Sequence, residues 1–112
     1  MSEITNPTGV SKPDNLYAGG FPETRDTRTI PAGTAVKRGD ILGANFKPIL
    51  TGGTPDSIAL EEVSATATNR IITVALTGEF NANALYTGDT TTPDDWKGEL
   101  RKLSIFVRHP AP

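Results

Sequence analysis

The chain has 112 residues, room for one domain built around one core. It contains no cysteine, which excludes disulfides, thiolate metal ligands and thiol catalysis. Eleven basic residues against thirteen acidic ones leave a formal net charge of -2, so nothing points to a polyanion or an anionic membrane as partner.

The opening, MSEITNPTGV, lacks the basic and apolar regions of a secretory signal, and no apolar run approaches the length of a bilayer span; the chain reads as soluble and unprocessed. Sixteen Thr, eleven Gly and nine Pro favour strands and turns over helices. Residues 1–29 hold only four of the Leu, Ile, Val and Phe residues (Ile4, Val10, Leu16 and Phe21), against twenty-one in residues 30–112. With Pro7, Pro13, Pro22, Gly9, Gly19 and Gly20 in the same stretch, residues 1–29 are expected to form an extended arm that cannot offset its own ordering entropy. Three basic and four acidic side chains make that arm a poor grip on nucleic acid, so protein is its expected partner.

From residue 30 short strands alternate with turn signals. Ile30 to Gly33 reads as a turn, followed by a brief alternation around Val36, a turn at Arg38-Gly39-Asp40 and an apolar step Ile41-Leu42-Gly43. Further strands are expected at Lys47 to Leu50, ending at Thr51-Gly52-Gly53, and at Ser57 to Val63. Arg70 to Leu76 is almost continuously apolar and is expected to be the central strand, covered on both faces. One helix is signalled near the end: Thr92 as cap, Pro93 at the first turn, Asp94 and Asp95 at the positive end of the dipole, then Trp96, Leu100 and Leu103 on one stripe. Gly98 weakens it by about 1 kcal/mol relative to Ala, so docking of Trp96 and Leu100 has to hold it. A last strand, Leu103 to Val107, puts Leu103, Ile105 and Val107 on one face. The fold class that results is mainly β, with one short C-terminal helix and an extended N-terminal arm.

Chemistry finds little footing. His109 is the single histidine and has no neighbouring Ser or carboxylate pair in sequence. No nucleophile elbow, Walker loop, dinucleotide fingerprint or metal-ligand spacing occurs. Glu61 and Glu62, adjacent on a strand, point to opposite faces and cannot converge on one substrate atom, and Asp94 and Asp95 are explained by the helix start. Arg38-Gly39-Asp40 matches an adhesion tripeptide in letters, but its flanks make it a strand-joining turn. Lys and Arg are scattered, and the aromatics show no basic interleaving of the kind that reads bases.

The segment PDSIALEEVSATATNRIITVALTGEFNANALYTGDTTTPDDWKGELRKLSIFV, Pro55 to Val107, resembles the lambda-type head decoration proteins of tailed bacteriophages. The densest match is LTGEFNANAL, Leu76 to Leu85, while IPAGTAVKRGDILG, Ile30 to Gly43, looks like the opening hairpin of that family's β-clip or β-tulip fold. The resemblance covers roughly residues 30–107 and divides the chain into an N-terminal capsid-binding arm, 1–29, and a decoration domain, 30–112. It implies a non-enzymatic cementing protein without cofactor, metal or small-molecule substrate. Such a protein binds major capsid protein as a homotrimer at local three-fold axes on the outer surface of an expanded head, and holds the shell against internal DNA pressure. It would be made in the host cytoplasm and reside in the virion, with no role for nucleic acid or membrane. Leu16, Tyr17 and Phe21, read as the arm's largest apolar groups, are its expected anchors. Phe80, Asn81, Asn83 and Leu85 are candidates for the trimer interface, although Gly78, Phe80 and Leu85 also suit a bend and core packing, the preferred reading for Phe80. Two other classes stay open at this point: a β-clip ligand-binding or accessory domain that uses the hairpin near Ile30 to Gly43, and a trimeric tail or baseplate protein of the virion.

Overall fold

A computed structural model of the chain describes residues 15–109. Six strands, two turns of 3-10 helix and one short α-helix follow in order. They are β1 (Arg25–Ile30), β2 (Ile41–Gly43), β3 (Pro55–Ala59), β4 (Arg70–Ala75), β5 (Gly78–Asn81), α1 (Lys97–Arg101) and β6 (Ile105–Arg108), with the 3-10 turns at Ala82–Ala84 and Pro93–Trp96. The molecule is mainly β with one short C-terminal helix.

β1 to β4 form one antiparallel sheet in the order β1-β4-β3-β2, and β5 and β6 pair in parallel beside it. Strand alternation explains how a sheet this small buries apolar groups on both sides. Ile41, Ile58 and Ala75 face the layer made by β5, β6 and α1, where Phe80, Leu85, Trp96, Leu100, Ile105 and Val107 complete the larger core cluster. The next residues along, Leu42, Ala59 and Val74, point the other way and join Ile30, Val36 and Ile72 in a second cluster. Fully burying a Leu, Ile or Phe side chain stabilises by roughly 1.5–3 kcal/mol, so these two clusters carry most of the fold.

β4 lies inside the sheet, as its apolar run predicts, yet one of its faces is only half covered. Ile72 and Val74 are buried, whereas Ile71 is 70% exposed. The layer of β5, β6 and α1 reaches Ala75 and stops short of Ile71, which stands across from Thr29 at the far end of the ladder. The expected alternation around Val36 and the expected strand Lys47 to Leu50 shrink to isolated bridges, Val36 to Val63 and Leu42 to Pro48, and the strand expected over Ser57 to Val63 begins at Pro55 and ends at Ala59.

The helix is shorter than its sequence signals. Pro93–Trp96 forms a 3-10 turn closed by Asp95, whose carboxylate accepts the Thr92 N–H at 2.7 Å, and only Lys97–Arg101 is α-helical. Trp96 and Leu100 dock in the core as expected, but Leu103 does not belong to the stripe. Ser104 takes a positive φ of 64° to turn the chain into β6, which leaves Leu103 half exposed and starts the strand at Ile105. Gly78 does make the expected bend, at φ 147°, where the chain passes from one sheet to the other.

Candidate interaction surface

Residues 1–14 of the expected arm lie outside the described residues; residues 15–29 can be placed, and they are not an arm. β1 is an integral strand with a six-residue ladder to β4. Ahead of it the chain runs as a strap over β5: Asn81 donates its backbone N–H to Leu16 O at 2.7 Å, Ala18 donates to Glu79 O at 3.1 Å, and Tyr17 bridges Phe80. Leu16 is therefore core, 2% exposed, and cannot serve as an anchor for another molecule without leaving its own. Its composition concealed this because a single Leu in a Pro- and Gly-rich stretch gives no periodicity. Tyr17 covers Phe80 with ring centroids 5.5 Å apart, and Phe21 packs edge-on against Phe106 at 4.9 Å. Both keep more than a third of their surface exposed, so Tyr17 and Phe21 are the two expected anchors that remain within reach of a partner.

Glu79 ties the strap down. Its carboxylate accepts the Phe21 N–H at 2.8 Å and faces the Arg108 guanidinium at 3.3 Å, which links the strap to β5 and β6 at once. Tyr17 donates its hydroxyl to Glu23, and burial together with that bond holds the phenol pKa above its ordinary value.

The four residues expected at a trimer interface separate into two groups. Phe80 and Leu85 are buried in the larger cluster, in agreement with the packing reading of Phe80. Asn81 is spent within the chain: its Nδ2 donates to Asn15 O at 3.0 Å and its Oδ1 accepts the Asn83 N–H at 2.9 Å, capping the 3-10 turn that follows. Asn83 alone of the four is exposed. Phe80 and Asn81 thus do their work inside one copy, because β5 lies between the strap and β6 rather than at an edge, and Leu85, just past the 3-10 turn, is buried in the same core cluster.

The surface holds other exposed apolar groups. Ile71 shares the open half of the sheet with Thr27, Thr29 and Thr73, Leu50 stands 53% exposed on the loop after Pro48, and the Tyr86 ring lies under Lys37 Nζ at 4.4 Å. The loop bearing Leu50 is fixed to the Thr-rich loop by Asp89, which accepts the N–H and hydroxyl of both Thr51 and Thr91. Four such donors hold its carboxyl far below the usual carboxylate range.

Of the residues that chemistry might have used, only His109 and Asp94 meet among the described residues, on the surface. Among the described residues no group of three or more His, Asp and Glu side chains could hold a metal ion. His109 lies on the surface and pairs with Asp94 at 2.7 Å. Arg38-Gly39-Asp40 is the expected turn, and Asp40 is buried, its carboxylate accepting the Lys37 N–H at 2.6 Å, so an adhesion receptor could not read it. Glu61 turns back onto its own sheet and accepts the Thr73 N–H at 2.6 Å. No protein-family model matches the chain, and no curated protein matches it.

Proposed function

We propose that this chain is a capsid decoration protein, binding as a homotrimer at local three-fold axes on the outside of an expanded bacteriophage head and stabilising it against internal DNA pressure. The sequence resemblance over Pro55 to Val107 is the starting point. The structural observation that supports it most is the strap: Leu16 and Ala18 are bonded along β5, and Asn15 is held by Asn81, so whatever precedes Asn15 starts from a fixed point on a rigid body. A tether launched from a fixed point wastes less entropy on binding than one launched from a loose chain. Tyr17 and Phe21, exposed beside that point, extend the contact with aromatic side chains of the kind that dominate interfaces. Three copies acting together raise avidity by about 10²-fold or more over one. Asn83 and the open half-face around Ile71 are among the exposed surfaces that could carry contacts between copies.

Cosedimentation with empty expanded heads tests the proposal. The full chain is expected to bind saturably with copies in multiples of three, and a chain starting at Asn15 to keep its fold and lose most of its affinity. Absence of binding to shells across a range of salt concentrations would overturn it.

A further inference from the structure

Ile71 and Leu50 are the two most exposed large apolar residues among those described, and they lie on opposite sides of the four-stranded sheet. Thr27 stands across from Thr73 and Thr29 from Ile71 in the ladder of β1 and β4, so these four uncharged side chains share the uncovered half-face. Ile71 is its large apolar knob. On the far side of the sheet, Gly43 donates its N–H to Lys47 O at 2.9 Å and Ile49 donates to Ile41 O at 2.8 Å, so Lys47 to Ile49 run along the outer edge of β2. A cleft of about 420 Å³ opens there, lined by Ala44, Pro48, Ile49, Leu50, Thr51 and Thr54 among others, and none of its lining residues is charged. Asp89, which ties this loop to the Thr-rich loop, has its carboxylate taken up by Thr51 and Thr91.

A cavity of about 150 Å³ accommodates a benzene ring, so the cleft has room for the Ile71 side chain and a Thr methyl beside it. No charge on either surface has to be stripped of water when the two meet. Knob and cleft are different patches on opposite sides of one molecule, so a contact between them is head to tail: each copy gives one surface and receives the other. Contacts of that kind close into a ring when each copy is rotated by a third of a turn from the last. We propose that Ile71 of one copy seats in the cleft beside Leu50 of the next, and that three such contacts close the homotrimer. The inference rests on the homotrimer of the decoration reading and adds to it the pair of surfaces that build the ring. It leaves the strap, with Tyr17 and Phe21, free for the shell.

Sedimentation equilibrium of the full chain up to about 1 mM, alongside Ile71→Glu, Leu50→Glu and an equimolar mixture of the two, tests the contact. The parent is expected to form a trimer. Where it does so, each variant alone is expected to be a monomer, its association weakened roughly 30-fold or more, as for a central interface residue. The mixture is expected to give a dimer and nothing larger, because Ile71→Glu keeps the cleft and Leu50→Glu keeps the knob, which leaves one sound contact per pair and no closed ring. Unfolding midpoints check that the variants fold, and Ile71→Thr, which suits a strand as well as Ile does, is expected to weaken the trimer too. A trimer that survives Ile71→Glu or Leu50→Glu overturns this contact and leaves the homotrimer standing. A mixture that associates no better than its components, or a Leu50→Glu chain that still pairs with itself, overturns the head-to-tail arrangement. A parent that stays monomeric throughout overturns the contact together with the trimeric part of the decoration reading.

Discussion

Asp26 and Arg28, two residues apart on the outer edge of β1, close over the backbone between them. Asp26 accepts the Thr27 N–H at 2.8 Å, Arg28 donates to Thr27 O at 2.9 Å, and the two side chains meet at 3.0 Å. The bond from Leu76 N–H to Thr24 O sets the phase of this ladder, so Thr27 is a residue whose backbone groups face the open edge. A six-residue edge strand is a template for unwanted pairing, and here its centre is sealed by its own charges. Asp26→Ala should unseal it, giving concentration-dependent self-association in sedimentation velocity where the parent shows none through this edge. Arg28→Ala should do the same and, by removing the 2.9 Å pair with Asp56, should loosen the ladder as well.

The strap predicts an asymmetry among its three apolar residues. Leu16→Ala is a core truncation and should destabilise by about 2–5 kcal/mol. Phe21→Ala removes an exposed ring contact with Phe106 and should cost about 0.5–1.5 kcal/mol. Denaturant midpoints at unchanged m-value measure both. Equal, small effects would mean that residues 15–24 do not belong to the body.

What the sequence conveys and what it conceals follows from which forces hold each element. Trp96 and Leu100 announce their burial by helical spacing, Ile58 and Val74 by strand-like runs, and the Arg38 to Asp40 turn by its glycine. β1 leaves no such trace: RDTRTI has one buried apolar residue, Ile30, and is held by its ladder to β4 and by Arg28 reaching Asp56 and the face of Phe46. Ions and backbone bonds at an edge have no hydrophobic period, so composition assigned β1 to an arm. The reverse happened at Ile71, where an apolar residue in a good strand lies beyond the end of the layer that would cover it. In the candidate site, Tyr17 and Phe21 were legible as large apolar groups in a polar stretch. Glu79, which pins the strap, was not, because its partners Phe21 and Arg108 are distant in sequence.

Among the described residues, Gly39 is the glycine least able to change. It sits at φ 100°, and a Cβ there would stand 2.3 Å from the backbone oxygen of Ala84. That oxygen cannot rotate away as a side chain could. Gly39→Ala should destabilise by about 3 kcal/mol or more, combining backbone strain with a displaced turn. Thermal unfolding checks this against Gly33→Ala, which has positive φ but open space and should lose only about 1 kcal/mol.

Asp40 gives the stability a specific pH response. Burial raises its pKa, against the opposing effects of the Lys37 N–H bond and the Lys37 charge. A carboxyl with a raised pKa binds its proton more tightly folded than unfolded, so its contribution favours folding at low pH and is lost as pH climbs from the ordinary carboxylate value through the raised one. Asp40→Asn keeps an acceptor for Lys37 and removes the titration. The stability of Asp40→Asn relative to the parent should therefore rise across that interval and level off above it, as read from denaturant midpoints at a series of pH values. A relative stability that falls with pH would reverse the assignment.

Hydrogen exchange on the full chain, free and mixed with expanded empty heads, tests the account most directly. The Ala18 and Asn81 amides, which bond the strap to β5, should be protected to a core-like degree in both samples, and residues 1–14 should gain protection when shells are added. Exchange of Ala18 and Asn81 at the rates of an unstructured chain in the free protein, or no gain ahead of Asn15 on the shell, would contradict it.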